Sequence, residues 1–179
     1  SGSGGGIYAG GDPANVGGIY SFGGNIVFSG GNVADVAALT TSGYAVGVSA
    51  GQSDGISINH FDVRAHGTSS GGDIVLRGQA PANTSSSTGV WIANAGAGAT
   101  TFNSGIVTNG AGKIVIDGVS DGVDVGTGRT GVRLYKANLG VEGRQGGSIS
   151  ITGANGGWAI YQDRFDGLGL IDAGGGGIT

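Results

Sequence analysis

One short motif recurs along this chain and restricts the possible fold more than any other feature. It places two large apolar residues two positions apart, with a glycine at its end. Because side chains alternate along a β-strand, the two apolar residues share one face of a short strand. The four full copies are Gly23–Gly30, Gly71–Gly78, Ala111–Gly118 and Gly146–Gly153. The agreement among these copies indicates a repeat structure.

A second kind of strand recurs between copies of the first. It begins with a glycine that precedes two apolar residues, again two positions apart. Its copies start at Gly55, Gly89, Gly131 and Gly157. The spacing between copies is irregular, which predicts loops of different length on a common scaffold.

Short strands that repeat between glycine corners predict an all-β fold, a parallel β-solenoid. A single rung cannot bury its apolar side alone, so rungs stack and form one continuous core. We expect about six to eight rungs of about 20–30 residues. The predicted core ladder consists of Ile26, Ile74, Ile114 and Ile149. A β-sandwich is the alternative fold, but it would have fewer glycines and more regular hairpin turns.

The whole chain, 1–179, is expected to be a single solenoid segment. Residues 1–54 form a more irregular part, and residues 55–179 carry the clearer repeats. Segment 32–41 is the one candidate helix, with Asn32 as its cap. Glycine corners are expected where the backbone needs a positive φ.

Disorder is the main rival interpretation, because glycine supplies 44 of the 179 residues. The ordinary share is about 7%. However, 38% of the residues are hydrophobic and only 11% are charged, and a disordered linker has no reason to alternate apolar and polar residues. Two prolines and no strict Gly-X-Y period also exclude collagen.

Charge and composition exclude several classes of partner. The formal net charge is −4, and the 8 lysines and arginines are scattered singly, so a nucleic-acid partner is not expected. No apolar run approaches the ~18 residues that span a bilayer, so membrane insertion is not expected either. The chain has no Cys and no Met. Without a signal peptide or an initiator Met, it is expected to be processed or excised from a longer chain.

The motifs that resemble catalytic or binding signatures are better explained by composition. Residues 126–131 spell Gly-x-Gly-x-x-Gly, but no helix follows to receive a pyrophosphate, so we expect no cofactor. Gly-x-Ser-x-Gly occurs three times, around Ser49, Ser69 and Ser120, and a nucleophile elbow needs only one. We therefore expect no catalytic residue.

No metal site is expected. The two histidines, His60 and His66, have no cysteine or second histidine cluster beside them and are interpreted as corner or surface residues. Asp121 and Asp124 could contribute to a calcium site, but the calcium-binding nonapeptide does not repeat, so we interpret them as turn residues.

Aromatic residues on the outward faces are the best candidates for a surface contact. Tyr135 and Tyr161 occupy equivalent positions in successive copies and are predicted to stack outside adjacent rungs, with Trp91 also outward. The favoured interpretation is a ladder that stabilises the stack. The other is a strip that binds glycans or a partner protein.

Three valines also face away from the expected core. They are Val27, Val75 and Val115. Either β-branched preference places them there, which we favour, or that face is covered by a loop or a neighbouring rod.

The combined pattern resembles a known family. Gly-Val-x-Leu-x-x-Ala-x-Leu, followed by Gly-Gly-x-Ile-x-Ile-x-Gly, is similar to the repeats of filamentous haemagglutinin-like adhesins of two-partner secretion and of related autotransporter passengers. Residues 131–153 match best, 55–78 match well, and 89–118 and 157–179 match loosely. The resemblance implies a right-handed parallel β-helix that is secreted and displayed at the cell surface as a rod or adhesin.

We therefore expect a non-enzymatic, extracellular structural rod or adhesin segment. Both ends of the sequence read as if cut through the same repeat, which predicts a segment of a longer rod or a subunit that stacks end to end. Further expected partners are glycans or proteins of a host or neighbouring cell. The alternative is a β-helix enzyme or binding protein that cleaves or binds polysaccharides.

Overall fold

Every regular element that the structure describes is a β-strand. The computed structural model describes residues 6–11, 16–30, 43–47, 54–81, 87–93, 105–120, 129–143, 146–154, 158–163, 171–173 and 175–179. Among these residues there is no helix, and hence none that could cross a bilayer. The candidate helix at 32–41 lies outside the described residues.

The strands form three sheets, which we call I, II and III. Sheet I contains β1 (Ile7–Gly10), β5 (Ile56–Asn59), β8 (Ser87–Ala93), β11 (Arg129–Tyr135) and β14 (Trp158–Asp163), in that spatial order. Sheet II contains β2 (Gly17–Ser21), β6 (Phe61–Ala65), β9 (Ile106–Asn109), β12 (Leu139–Glu142) and β15 (Ile171–Asp172). Sheet III contains β3 (Ile26–Phe28), β7 (Ile74–Ala80), β10 (Lys113–Ser120) and β13 (Ser148–Ala154), and β4 (Ala45–Val46) also pairs with β7.

The chain visits sheets I, II and III in turn and then returns to sheet I one rung further on. Each strand pairs in parallel with its equivalent in the neighbouring rung. This is a parallel β-helix, so the fold expected from the sequence is confirmed. The right hand implied by the resemblance stays a prediction.

The rungs are longer and fewer than expected. Ile56, Val90, Val132 and Ile160 occupy successive rungs of sheet I, at intervals of 34, 42 and 28 residues. The five-stranded sheets give five rungs, so the expectation of six to eight rungs was wrong. Each rung contains a third strand, the one in sheet II, which lacks the glycine pattern and was therefore not counted.

The expected ladder residues lie in register at the centre of sheet III. Ile26 is opposite Ile74, Ile74 is opposite Ile114, and Ile114 is opposite Ile149. All four are buried and point into the core cluster. Burying one such side chain stabilises the fold by about 1.5–3 kcal/mol. Equivalent ladders line sheets I and II, so three aliphatic columns meet in one interior.

The outward valines of sheet III differ in exposure. Val75 is only 4% exposed, whereas Val27 and Val115 are half-buried. The outer face of this sheet is therefore covered at Val75, which β-branched preference alone does not explain.

The irregular N-terminal part contains a strand that is interrupted rather than absent. Residues Ile26–Phe28 pair with the beginning of β7, and Ala45–Val46 pair with its later half. An antiparallel bridge between Gly30 and Gly43 closes the interruption. Next to it, the Tyr44 hydroxyl donates a 2.8 Å hydrogen bond to Asp117 Oδ2 of sheet III. The two short strands together thus occupy one strand position of the first rung.

The repeated glycines allow two sheets to approach each other closely. Gly78, Gly118 and Gly153 form a column in sheet III. A Cβ on Gly118 would lie against the carbonyl oxygen of Gly131 in sheet I. None of these glycines has a positive φ, so the expected reason for them was wrong. The positive-φ glycines lie at the corner between sheets II and III, at Gly110 and Gly143.

We expect Gly118→Ala to destabilise the protein by about 1–3 kcal/mol, because its methyl group would meet rigid backbone rather than a movable side chain. Chemical denaturation followed by circular dichroism measures the change. Gly177→Ala is the matched control, since a Cβ there meets nothing within 4 Å. An equal loss in both variants would contradict the proposed close approach of sheets I and III.

Candidate functional site

The outer face of sheet I carries an aromatic–cation column. Trp91, Arg133 and Tyr161 lie in register on three successive rungs. The Arg133 guanidinium carbon is 5.7 Å from the centre of the Trp91 ring and 5.8 Å from that of Tyr161. The cation therefore lies between two rings, within the range of a cation–π interaction. All three side chains are half-buried.

The predicted stack of Tyr135 on Tyr161 is wrong. Tyr135 is opposite Asp163, and Tyr161 is opposite Arg133. The sequence alignment matched the glycines that precede the two strands, but the structure pairs Val132 with Ile160, two residues further on. Tyr135 instead has the Lys136 ammonium 5.5 Å from its ring centre.

Arg133 and Trp158 are the two residues of this face that the sequence reasoning missed. Arg133 stands between Val132 and Leu134, so strand alternation already placed it outward, next to Trp91 once the register is known. Trp158 was taken for the start of an inward pair. It is 50% exposed, and its ring centre lies 5.8 Å from that of Tyr161. The rings of Trp91 and Tyr161 both contact Arg133, so Trp158 offers the most open aromatic surface of this face.

Acidic and amide side chains at the beginnings of the strands bind the backbone of the next rung. Asp54 Oδ1 accepts the Thr88 N–H at 2.8 Å in sheet I, and Asp62 Oδ1 accepts the Gly105 N–H at 2.6 Å in sheet II. In sheet III, Asn25 Oδ1 accepts the Asp73 N–H, and Asp73 Oδ1 accepts the Lys113 N–H, both at 2.8 Å. We call these residues the rung-to-rung acceptors.

The polar residues near the corner between sheets II and III also contact each other. The Asn109 side chain accepts the Gly67 N–H at 3.0 Å and donates to the Gly67 carbonyl at 2.9 Å. His66 Nε2 lies 3.6 Å from Glu142 Oε2 on the same side of the stack. This pair is partly exposed and therefore contributes little to stability.

The motif residues considered for chemistry are dispersed. Ser69 lies on an exposed bend, Ser120 is buried at the end of β10, and His60 lies at the corner between β5 and β6 with a φ of 50°. Ser49, Asp121, Asp124 and most of the 126–131 glycine motif lie outside the described residues. Within the part of the chain that the structure describes, no three His, Cys, Asp or Glu side chains are grouped to hold a metal.

Burial controls the charge state of one rung-to-rung acceptor. Loss of solvent raises the pKa of Asp54 above its usual value of 3.8, while the Thr88 N–H and the positive charge of Arg133 oppose that rise. The folded chain therefore holds a proton on Asp54 more tightly than the unfolded chain does.

Comparison with models of known families, with curated sequences and with solved structures gives no match. The functional argument is therefore made from the fold and from the residues themselves.

We expect Asp54→Asn to remove a pH-dependent part of the stability. In the unchanged protein the contribution of Asp54 is fully present below pH 3.8, and it is lost as the pH rises through the raised pKa of the folded state. Asn keeps an oxygen acceptor for the Thr88 N–H and does not titrate. Denaturation between pH 3 and 7 should show the variant gaining on the unchanged protein as pH rises. Asp54→Ala, which loses the acceptor, should cost about 1–3 kcal/mol at every pH, and parallel pH profiles for Asp54→Asn and the unchanged protein would refute this role.

We expect a double-mutant cycle of Arg133→Met and Trp91→Leu to give a coupling of about 0.5–2 kcal/mol, because the pair forms a partly desolvated cation–π contact. The free energy of unfolding is measured for the four proteins. Arg133→Met with Tyr8→Leu is the control, since Tyr8 lies in the same outer column but is separated from Arg133 by Ser57 and Trp91. Coupling of similar size in both cycles would show that the cation is not held specifically by the Trp91 ring.

Proposed function

We propose that this chain is a non-enzymatic, extracellular structural rod or adhesin segment. The observation that carries the proposal is the use of its polar side chains. The rung-to-rung acceptors bind backbone N–H groups, and Arg133 lies between two rings. Groups that an enzyme would direct at a substrate here hold one rung to the next.

The interior supports the same proposal. Three columns of aliphatic side chains run through all five rungs and form one core cluster. A solenoid built in this way resists bending along its axis because each rung is bonded to its neighbours by parallel ladders. The resemblance of residues 131–153 to adhesin repeats supports a place outside the cell.

Glycan binding is a second candidate function, and one observation favours it. Trp158 is half exposed beside Tyr161, with the two rings inclined at 54°. Sugars bind to open aromatic faces through their C–H groups, so this corner of sheet I is the place where a glycan would dock. Cleavage of the glycan would need acid and base groups that also face this corner.

The proposal is tested with antibodies against the folded chain and with a panel of polysaccharides. We expect antibodies to label intact cells of the source organism without permeabilisation, and we expect no new reducing ends or unsaturated sugars in the panel. Labelling that requires permeabilised cells, or turnover of any polysaccharide, would overturn the proposal.

If the chain retains a glycan on an array, we expect Trp158→Ala to lower the signal at least tenfold. Phe22→Ala is the matched control, because Phe22 is the most exposed aromatic side chain among the described residues, at 96%, and lies beyond β2. Equal loss in both variants would exclude the Trp158 corner as the glycan site.

A further inference from the structure

Each of the three core columns begins and ends with isoleucine. In sheet I the column runs from Ile7 to Ile160. In sheet II it runs from Ile19 to Ile171, and in sheet III from Ile26 to Ile178. The residues between these ends are large aliphatic side chains, so the first and last rungs present the same apolar pattern as the interior.

The ends of these columns are exposed, although their middles are sealed. Ile19, Ile160 and Ile178 are 39%, 46% and 54% exposed. The inner members of the same columns, such as Ile56, Ile106 and Ile114, have no exposed surface. Core side chains that remain half exposed are covered when a further rung is added.

The edges of the first and last rungs lack the usual protection against pairing. Proteins commonly guard a free strand edge with lysine, proline or an inward charge. The strands β1, β2 and β3 contain no charged residue and no proline. In the last rung, β14 and β15 contain only the two aspartates Asp163 and Asp172.

We propose that the last rung of one copy pairs with the first rung of a second copy, in parallel and in register. Ile160, Ile171 and Ile178 then stack on Ile7, Ile19 and Ile26 of the second copy. Outside the core, Tyr161 continues onto Tyr8, which lies at the other end of the same outer column. The joint uses two different surfaces, so it repeats without closing and produces a filament. This inference rests on the proposed function as a rod and names its partner.

Two charge substitutions test the joint. Ile19→Lys blocks the first rung and Ile160→Lys blocks the last, because each places a charge in a column that the second copy must cover. Sedimentation should show the unchanged chain assembling as its concentration rises, while each variant alone stays at the 17.2 kDa monomer mass. An equal mixture of the two variants should give particles of twice that mass, since each supplies the surface that the other has lost.

The control for added charge is Thr152→Lys, on the exposed outer face of β13 in an interior rung. It should assemble as the unchanged chain does. Circular dichroism of every variant checks that the β-structure is retained. If each blocked variant forms dimers by itself, the contact joins like ends and the proposal is wrong.

Cross-linking tests the register without relying on charged variants, and it is clean because the chain has no cysteine. Tyr8→Cys and Tyr161→Cys, mixed and mildly oxidised, should form a disulfide, because neighbouring strands bring equivalent Cα atoms to about 5 Å. Tyr20→Cys with Tyr161→Cys is the control, since Tyr20 is as exposed as Tyr8 but belongs to sheet II. Cross-linking of equal yield in both mixtures would overturn the proposed register.

The outcomes separate this inference from the function on which it rests. A chain that stays monomeric at every concentration would overturn the joint but leave the surface-labelling result standing. Turnover of a polysaccharide would overturn the proposed function and leave the assembly measurements unaffected.

Discussion

The stack depends on how backbone N–H groups are satisfied where each strand begins. At a corner the chain changes direction, and a buried N–H without an acceptor would cost about 1–3 kcal/mol. Here the side chain of an Asp or Asn in one rung accepts the N–H of the equivalent residue in the next, once or twice in every sheet. This contact also selects the register, because a shift by one residue would move the acceptor away from its donor.

The two kinds of glycine explain why the chain needs so many of them. One kind permits a backbone conformation, as at Gly110 with a φ of 64°. The other kind removes a side chain where the backbones of sheets I and III nearly touch, as at Gly89 and Gly118. Strand glycines are normally unfavourable because they pack nothing. In this fold they set the distance between two sheets, and the neighbouring isoleucines supply the apolar contact.

The sequence predicted the parallel solenoid because alternation and glycine spacing are local signals. Ile26, Ile74, Ile114 and Ile149 could be aligned from their flanking glycines alone, and they lie in register. The length of a rung could not be read in this way, because the strands of sheet II have no such flanks. The same limit affected the outer face: the pairing of Tyr161 with Arg133 depends on a two-residue shift that only the ladder of hydrogen bonds decides.

The interrupted strand position of the first rung shows what kind of change this architecture tolerates. Strand β7 accepts Ile26–Phe28 and Ala45–Val46 as neighbours in one continuous line, although fourteen or more residues of sequence separate some of their members. The columns thus recognise a residue by its place in the stack and not by its distance along the chain. An insertion between Gly30 and Gly43 leaves the register of every later rung intact. Sequence at this position can therefore diverge, lengthen or be exchanged between related chains while the frame that carries it stays the same.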